Sequence, residues 1–174
     1  MDLFDYMREN TMEKESPLAS RLRPRTLDEV VGQQHIIGKD KLLYRAIKAD
    51  KLGSVIFYGP PGTGKTTLAK VIANTTQADF KQINATVAGK KDMEEVVTEA
   101  KNNMGMYGRR TILFVDEIHT MIGAGGAEGA IDASNIMKPF LARGEIQLIG
   151  ATTREEYRKY IEKDAAFERR FQPV

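Results

Sequence analysis

The sequence contains no cysteine, which excludes disulfide bonds and thiolate metal sites from this chain. It also lacks any apolar run near the roughly 18–20 residues that a membrane-spanning helix needs. The N-terminal stretch MDLFDYMREN mixes both signs of charge and has no apolar centre like that of a secretory signal. The net charge is only +2, so bulk charge does not indicate nucleic-acid binding. These absences predict a cytoplasmic protein with no membrane partner.

The apolar pattern that is present alternates between strands and helices along 174 residues. The segments SVIFYG, DFKQINA, TILFVDEI and IQLIGATT are predicted strands, and FQPV is a candidate fifth strand. Predicted helices cover residues 64–76, 92–104, 130–144 and 155–164. This alternation predicts an α/β fold of three layers around a mainly parallel, five-stranded sheet. Residues 1–20 are predicted to be an N-terminal arm, and residues 21–174 one nucleotide-binding subdomain.

The segment GPPGTGKT, at residues 59–66, has the spacing of a phosphate-binding loop and lies between a strand and a helix. Glycines let successive backbone N–H groups point at phosphate oxygens, and the helix adds its positive N-terminal end. Lys65 is expected to reach the β- and γ-phosphates, and the Thr66 hydroxyl to bind Mg²⁺. The predicted nucleotide-binding residues of this segment are Gly59, Pro60, Pro61, Gly62, Thr63, Gly64, Lys65, Thr66 and Thr67.

Asp116 and Glu117 end an apolar strand, and the carboxyl ends of parallel strands share the edge at which ligands bind. We therefore expect Asp116 to hold Mg²⁺ through a water molecule and Glu117 to orient and polarise the attacking water. The alternative is a solvated strand end without a function. Thr152 and Thr153 end the fourth strand, where a hydroxyl can contact the γ-phosphate or the attacking water, although a simple strand-end threonine pair is an equal alternative.

Two further pairs of side chains carry weaker signals. Arg169 and Arg170 are candidates for an arginine finger that acts on a neighbouring subunit's nucleotide, or for a solvated surface pair. His35 and His119 lack metal-ligand spacing, and both are interpreted as structural.

The segments GPPGTGKTT, VDEIH, GATT and ERRF occur in this order, and together they resemble an AAA+ ATPase over nearly the whole chain. The resemblance implies ATP or ADP with Mg²⁺ as cofactors, and a homo-oligomeric ring. It puts Thr153 at the sensor-1 position, and Arg169 and Arg170 at the arginine-finger position. EVVGQ, with Val31 and Gly32, corresponds to the family's adenine-contacting loop.

Different parts of the chain resemble two different subfamilies. Up to about residue 119, from PLASRLRPRTLDEVVGQQHIIG through GRRTILFVDEIH, it resembles the RarA/MgsA (WHIP-type) replication-associated recombination ATPases. From about residue 120 it resembles the first ATPase module of the ClpB/ClpC unfoldases, whose aromatic pore loop has no counterpart in residues 80–108. The change predicts a chimera, engineered or natural, with its junction near His119.

The resemblance also implies a helical lid beyond Val174, with a sensor-2 arginine. Without that lid, and because arginine fingers act between subunits, we expect a monomer that binds Mg-ATP but hydrolyses it weakly or not at all. The alternatives are a natural AAA+ ATPase of DNA replication and recombination, or a fragment of a Clp-type protein-unfolding ATPase. DNA and protein substrates follow only from the resemblance.

Overall fold

The computed structural model describes residues 17–122, 146–161 and 172–173, which include five strands in one sheet. The strand order is β2-β3-β4-β1-β5, and all neighbouring strands are parallel. The predicted α/β fold with a parallel, five-stranded sheet is therefore confirmed. The strands are β1 (Val55–Tyr58), β2 (Asp79–Asn84), β3 (Thr111–Asp116), β4 (Ile146–Thr152) and β5 (Gln172–Pro173).

The helices of the described residues flank this sheet. They are α1 (Leu18–Arg21), α2 (Gln34–Ile37), α3 (Leu42–Lys48), α4 (Lys65–Thr76), α5 (Lys90–Tyr107), α6 (His119–Ile122) and α7 (Arg154–Glu156), with a 3₁₀ turn at Leu27–Glu29. The predicted helix over 64–76 is present as α4, and α5 extends beyond the predicted 92–104 at both ends. At the start of α5, the Asp92 carboxylate accepts a hydrogen bond from Gly89 N. At its end, Gly108 has a left-handed backbone and terminates the last turn of the helix.

The sheet is buried on both faces because its central strands are apolar at successive positions. Ile112 and Phe114 of β3 pack into a cluster with α3 and α4. Leu113 and Val115, which point to the opposite face, pack with α5. These two apolar clusters produce the predicted three layers.

The helix predicted over 155–164 begins instead at Arg154, and it continues from Tyr157–Ile161 as a π-helical turn. This turn lets Tyr157 stack on Tyr58 with ring centroids 4.5 Å apart, while Tyr160 stacks on His119. Such turns have a wider backbone than an α-helix and recur at functional sites. Through these two stacked pairs, the segment that follows β4 packs against the ends of β1 and β3.

Several predictions concern residues outside the described ranges. These are the helix over 130–144, the last three residues of the helix predicted over 155–164, and most of the N-terminal arm over 1–20. Within the described ranges, no helix has the length and apolar character to cross a membrane.

Candidate nucleotide-binding site

The loop between β1 and α4 is bent by two glycines. Gly62 (φ 77°) and Gly64 (φ 89°) have left-handed backbones, which glycine adopts without strain. No atom lies within 4 Å of the Cβ that either residue would carry, so the backbone conformation, and not lack of space, favours glycine. Thr63 Oγ1 donates to the Pro60 carbonyl at 2.9 Å and closes the bend. The first turn of α4 consequently begins directly at Lys65.

The Lys65 ammonium lies inside this loop. Its Nζ donates to the carbonyl oxygens of Gly59 at 2.8 Å and Pro60 at 2.9 Å. Burial lowers the pKa of Lys65, while the negative charges of Asp116 and Glu117 act in the opposite direction. The loop thus holds a cation between its own carbonyl groups and the two carboxylates at the end of β3.

A cavity of about 400 Å³, here called the phosphate cavity, brings most of the predicted site together. The loop and α4 line one side of it, and the carboxyl ends of β3 and β4 line the other. Its lining residues are Arg23, Pro61, Gly62, Gly64, Lys65, Thr66, Thr67, Phe114, Asp116, Glu117, Ala151, Thr152 and Thr153. The cavity therefore combines a lysine, hydroxyl groups and two carboxylates.

The donor set suits a magnesium ion. The Thr66 hydroxyl and the Asp116 carboxylate both line the phosphate cavity. Mg²⁺ prefers such oxygen ligands, and it commonly takes one or two from the protein and the rest from water and phosphate. Thr66 and Asp116 therefore fit the predicted metal role.

A wider cleft of about 690 Å³ lies on the other side of the loop and is lined in part by the segment that precedes β1. Val31, predicted to contact adenine, lines this cleft, as does His35. Gly32, the second predicted residue, adopts a left-handed backbone (φ 82°) but does not line the cleft. The volume lies within the range of small-molecule sites, and the lining is mixed apolar and polar.

Side chains at the carboxyl edge form a network that includes His119 and Glu156. The His119 Nε2 lies 3.5 Å from Glu117 Oε2, and its Nδ1 lies 3.2 Å from Glu156 Oε2 and 3.0 Å from Thr152 Oγ1. Thr153 Oγ1 donates to Glu156 Oε2 at 2.8 Å and accepts from Glu156 N at 3.3 Å. The network thus connects the predicted water-polarising residue with the predicted sensor threonine.

The Glu156 carboxylate is stabilised in its charged form by this network. Burial raises the pKa of Glu156, but the hydrogen bond from Thr153 and the charge of His119 outweigh it, so the pKa lies below its ordinary value. Thr153 also caps α7, because its side chain accepts the Glu156 N–H.

His119 and Glu156 belong to this network although neither was a predicted site residue. For Glu156, the pattern Thr153-x-x-Glu156 is that of a capping box and was a usable signal. For His119, nothing in the spacing distinguished it from His35. Arg169 and Arg170 lie outside the described residues.

Comparisons with known proteins agree with this arrangement. A family profile described as "ATPase family associated with various cellular activities (AAA)" matches residues 55–173. The ATP-dependent Clp protease ATP-binding subunit ClpC of Staphylococcus aureus (strain USA300) is 46% identical over 157 residues, which covers 80% of this chain and 19% of ClpC. ClpC of Staphylococcus saprophyticus gives the same values. The chain therefore spans about a fifth of the length of these curated relatives.

Solved structures give a second likeness. Thermotoga maritima RuvB, described as a Holliday junction branch migration motor, superposes with a TM-score of 0.63 at 29% identity, over 88% of this chain and 47% of RuvB. The ClpC likeness also extends well ahead of residue 120, because it covers 80% of the chain. The RarA-like character of the first part and the junction near His119 stay predictions.

Proposed function

The chain belongs to the AAA family of ATPases, and from this premise we propose that it is a nucleotide-binding core that binds Mg-ATP and hydrolyses it slowly on its own. One observation carries the proposal. Lys65, Thr66, Asp116 and Glu117, which come from two separate segments, line one cavity beside a glycine-bent loop.

Each group has one task in the proposed reaction. The loop N–H groups and Lys65 bind the β- and γ-phosphates, and Thr66 and Asp116 hold Mg²⁺, which neutralises charge on the phosphate oxygens. Glu117 polarises a water molecule whose oxygen attacks the γ-phosphorus as the bond to the ADP oxygen breaks. Thr153 is proposed to contact the γ-phosphate, and Val31 and Gly32 to contact the adenine.

The rate depends on a second subunit in this proposal. Arg169 and Arg170 are proposed to act as arginine fingers on a neighbour's nucleotide, and such a residue contributes about 10³–10⁵ in rate. An isolated monomer would lack this contribution and would turn over slowly. Ring assembly in the presence of ATP would restore it.

The biological role follows from the chimera hypothesis. We propose RarA-like and Clp-like fragments joined near His119, so that neither parent activity is complete in this chain. The ClpC likeness supports the Clp-like part of the hypothesis. A natural AAA+ ATPase acting on DNA is the second candidate, and the likeness to a branch migration motor favours it.

Nucleotide binding is tested by titrating a fluorescent ADP with and without Mg²⁺. Lys65→Ala should abolish tight binding, whereas Lys70→Ala, an exposed lysine on the same helix, should leave it unchanged. Phosphate release by the wild-type chain and by Glu117→Gln tests hydrolysis. Equal release by both would remove Glu117 from the mechanism.

Partners are tested by the same phosphate-release measurement, with forked DNA or with a permanently unfolded protein added. Stimulation by only one of the two would assign the role to that substrate class. Size-exclusion chromatography with ATP then reports assembly. A monomer with rapid turnover would contradict the proposed role of Arg169 and Arg170.

A further inference from the structure

The contacts of His119 and Glu156 join residues from three elements at the edge of the phosphate cavity. Glu117 follows β3, Thr152 and Thr153 end β4 and follow it, and Glu156 lies in α7. His119 is only 7% exposed, and its ring is stacked on Tyr160 with centroids 6.1 Å apart. The imidazole ring is therefore buried between the carboxylates of Glu117 and Glu156.

Each ring nitrogen of His119 has a carboxylate beside it. Ligand atoms of Glu117, His119 and Glu156 lie within 4.8 Å of one another. However, Glu117 is near Nε2 and Glu156 is near Nδ1, and the two ring nitrogens point in different directions. The imidazole ring is thus the shared neighbour of the two carboxylates.

The Thr153 hydroxyl has only one proton to donate. In the structure this proton goes to Glu156 Oε2 at 2.8 Å. Thr153 also lines the phosphate cavity, as Lys65 does. If the hydroxyl donates to a γ-phosphate oxygen, it cannot donate to Glu156 at the same time. Glu156 then loses its shortest hydrogen bond and is left with His119 and Thr152 as partners.

We propose that His119 and Glu156 are positioning residues that hold the carboxylate of Glu117 and transmit to it whether the Thr153 hydroxyl contacts a γ-phosphate. The inference rests on the proposed ATPase function of the same site. Glu156 contacts neither the phosphates nor the attacking water in this proposal; it acts through His119. Nucleotide affinity should therefore depend little on Glu156, while turnover should depend on it strongly.

The first test compares kcat and KM for ATP in Glu156→Ala, Glu156→Gln and Glu155→Ala. Glu155 is exposed and lies in the same first turn of α7, so it is a matched control for charge and helix position. Misplacing the polarising carboxylate should lower kcat in Glu156→Ala about 10- to 100-fold. We expect KM and the affinity for fluorescent Mg-ADP to change less than about 2-fold. Glu156→Gln keeps an acceptor for Thr153 and should recover part of kcat.

Adding Glu156→Ala to Glu117→Gln should produce no further loss, because the two residues act as one unit. An additive loss, or an equal fall in kcat for Glu155→Ala, would overturn the inference. If Glu117→Gln is slow but Glu156→Ala is normal, only the positioning role fails. If Glu117→Gln equals the wild type, the proposed function fails.

The second test needs no turnover. The chain has two histidines, so ¹⁵N spectra contain two imidazoles, which His35→Gln assigns. At saturating nucleotide, the His119 ring resonances should differ between Mg-ADP and Mg with a non-hydrolysable ATP analogue. Thr153→Val, which replaces the hydroxyl by a methyl group and also removes the side-chain cap of α7, should abolish that difference. Identical His119 resonances with both nucleotides would refute the coupling, and failure of either nucleotide to bind would refute the site itself.

Discussion

The phosphate loop and the carboxyl edge of the sheet face the same cavity but are built from contacts of different range. In the loop, Lys65 reaches back only six residues to Gly59, and Thr63 three residues to Pro60. At the edge, His119 contacts Thr152, 33 residues away in the sequence. The loop is thus a local structure, whereas the edge exists only when β3 and β4 are paired.

The difference in construction matches a difference in proposed task. Backbone amides, two glycines and one lysine suffice to bind phosphates, and these lie in one short segment. Polarising a water molecule requires a carboxylate held at a defined angle. The Glu117 carboxylate lies 3.5 Å from His119, whose other ring nitrogen contacts Thr152 of β4 and Glu156 of α7. Binding should therefore tolerate changes at the edge that turnover does not.

The largest expected effect is that substitutions in the two regions change different quantities, kcat at the carboxyl edge and nucleotide affinity in the phosphate loop. Glu117→Gln should lower kcat by about 10²–10⁴, as expected for loss of a general base, while fluorescent Mg-ADP binding changes little. Lys65→Ala should weaken that binding about 100-fold, because a charge-assisted contact to phosphate is lost. Steady-state phosphate release and equilibrium titration measure the two effects. If Glu117→Gln weakens binding as much as Lys65→Ala, the regions do not have separate tasks.

An intermediate effect is expected where the edge depends on close packing. A Cβ added to Gly150 of β4 would lie 2.5 Å from Ile118 Cδ1, and Ile118 directly follows Glu117. Gly150→Ala should therefore lower the free energy of unfolding by about 1–3 kcal/mol and reduce kcat, without a matching loss of nucleotide binding. Urea unfolding and the titration above measure both.

Gly105 is the control for this substitution, because it lies within α5 and a Cβ there meets nothing within 4 Å. Gly105→Ala should leave turnover unchanged and stabilise the chain by about 0.5–1 kcal/mol. Equal stability of the two alanine variants would contradict the packing argument.

The smallest effect concerns acid pH. The pKa of Glu156 lies below its ordinary value in the folded chain. Its stabilising contribution is therefore complete above the ordinary carboxyl pKa and is lost as pH falls through the lowered, folded-state pKa. Glu156→Gln should make the melting temperature less sensitive to pH in that acid window than Glu155→Gln does. Parallel melting curves of the two variants would show that the network adds no stability.

Much of the fold was predictable because its signals are short in range. The runs SVIFYG and TILFVDEI and the helical spacing after Lys65 correctly predicted β1, β3 and α4. The predicted end of α5 at residue 104 was wrong, because the helix continues through Gly105 and ends only at Gly108, which has a left-handed backbone. The π-helical turn after Glu156 was not predictable from periodicity; in the structure it accompanies stacking of Tyr157 and Tyr160 on partners from distant segments.

The candidate site divides in the same way. The loop glycines and Lys65 could be identified from spacing alone, and Asp116 and Glu117 from their place at a strand end. His35 and His119 looked equivalent in the sequence. In the structure, His35 lines the wide cleft, whereas His119 is buried and lies between two carboxylates.

The parallel α/β architecture, the phosphate loop and the position of the acidic pair follow from the amino-acid pattern, because local spacing and the order of apolar residues specify each of them. The side chains that surround Glu117 depend on the folded arrangement instead. Pairing of β3 with β4, the close approach of Ile118 to Gly150, and the capped start of α7 bring His119 and Glu156 together. His119 lies 33 residues from Thr152 in the sequence, so no local pattern encodes their contact, whereas the Thr153-x-x-Glu156 cap of α7 is local.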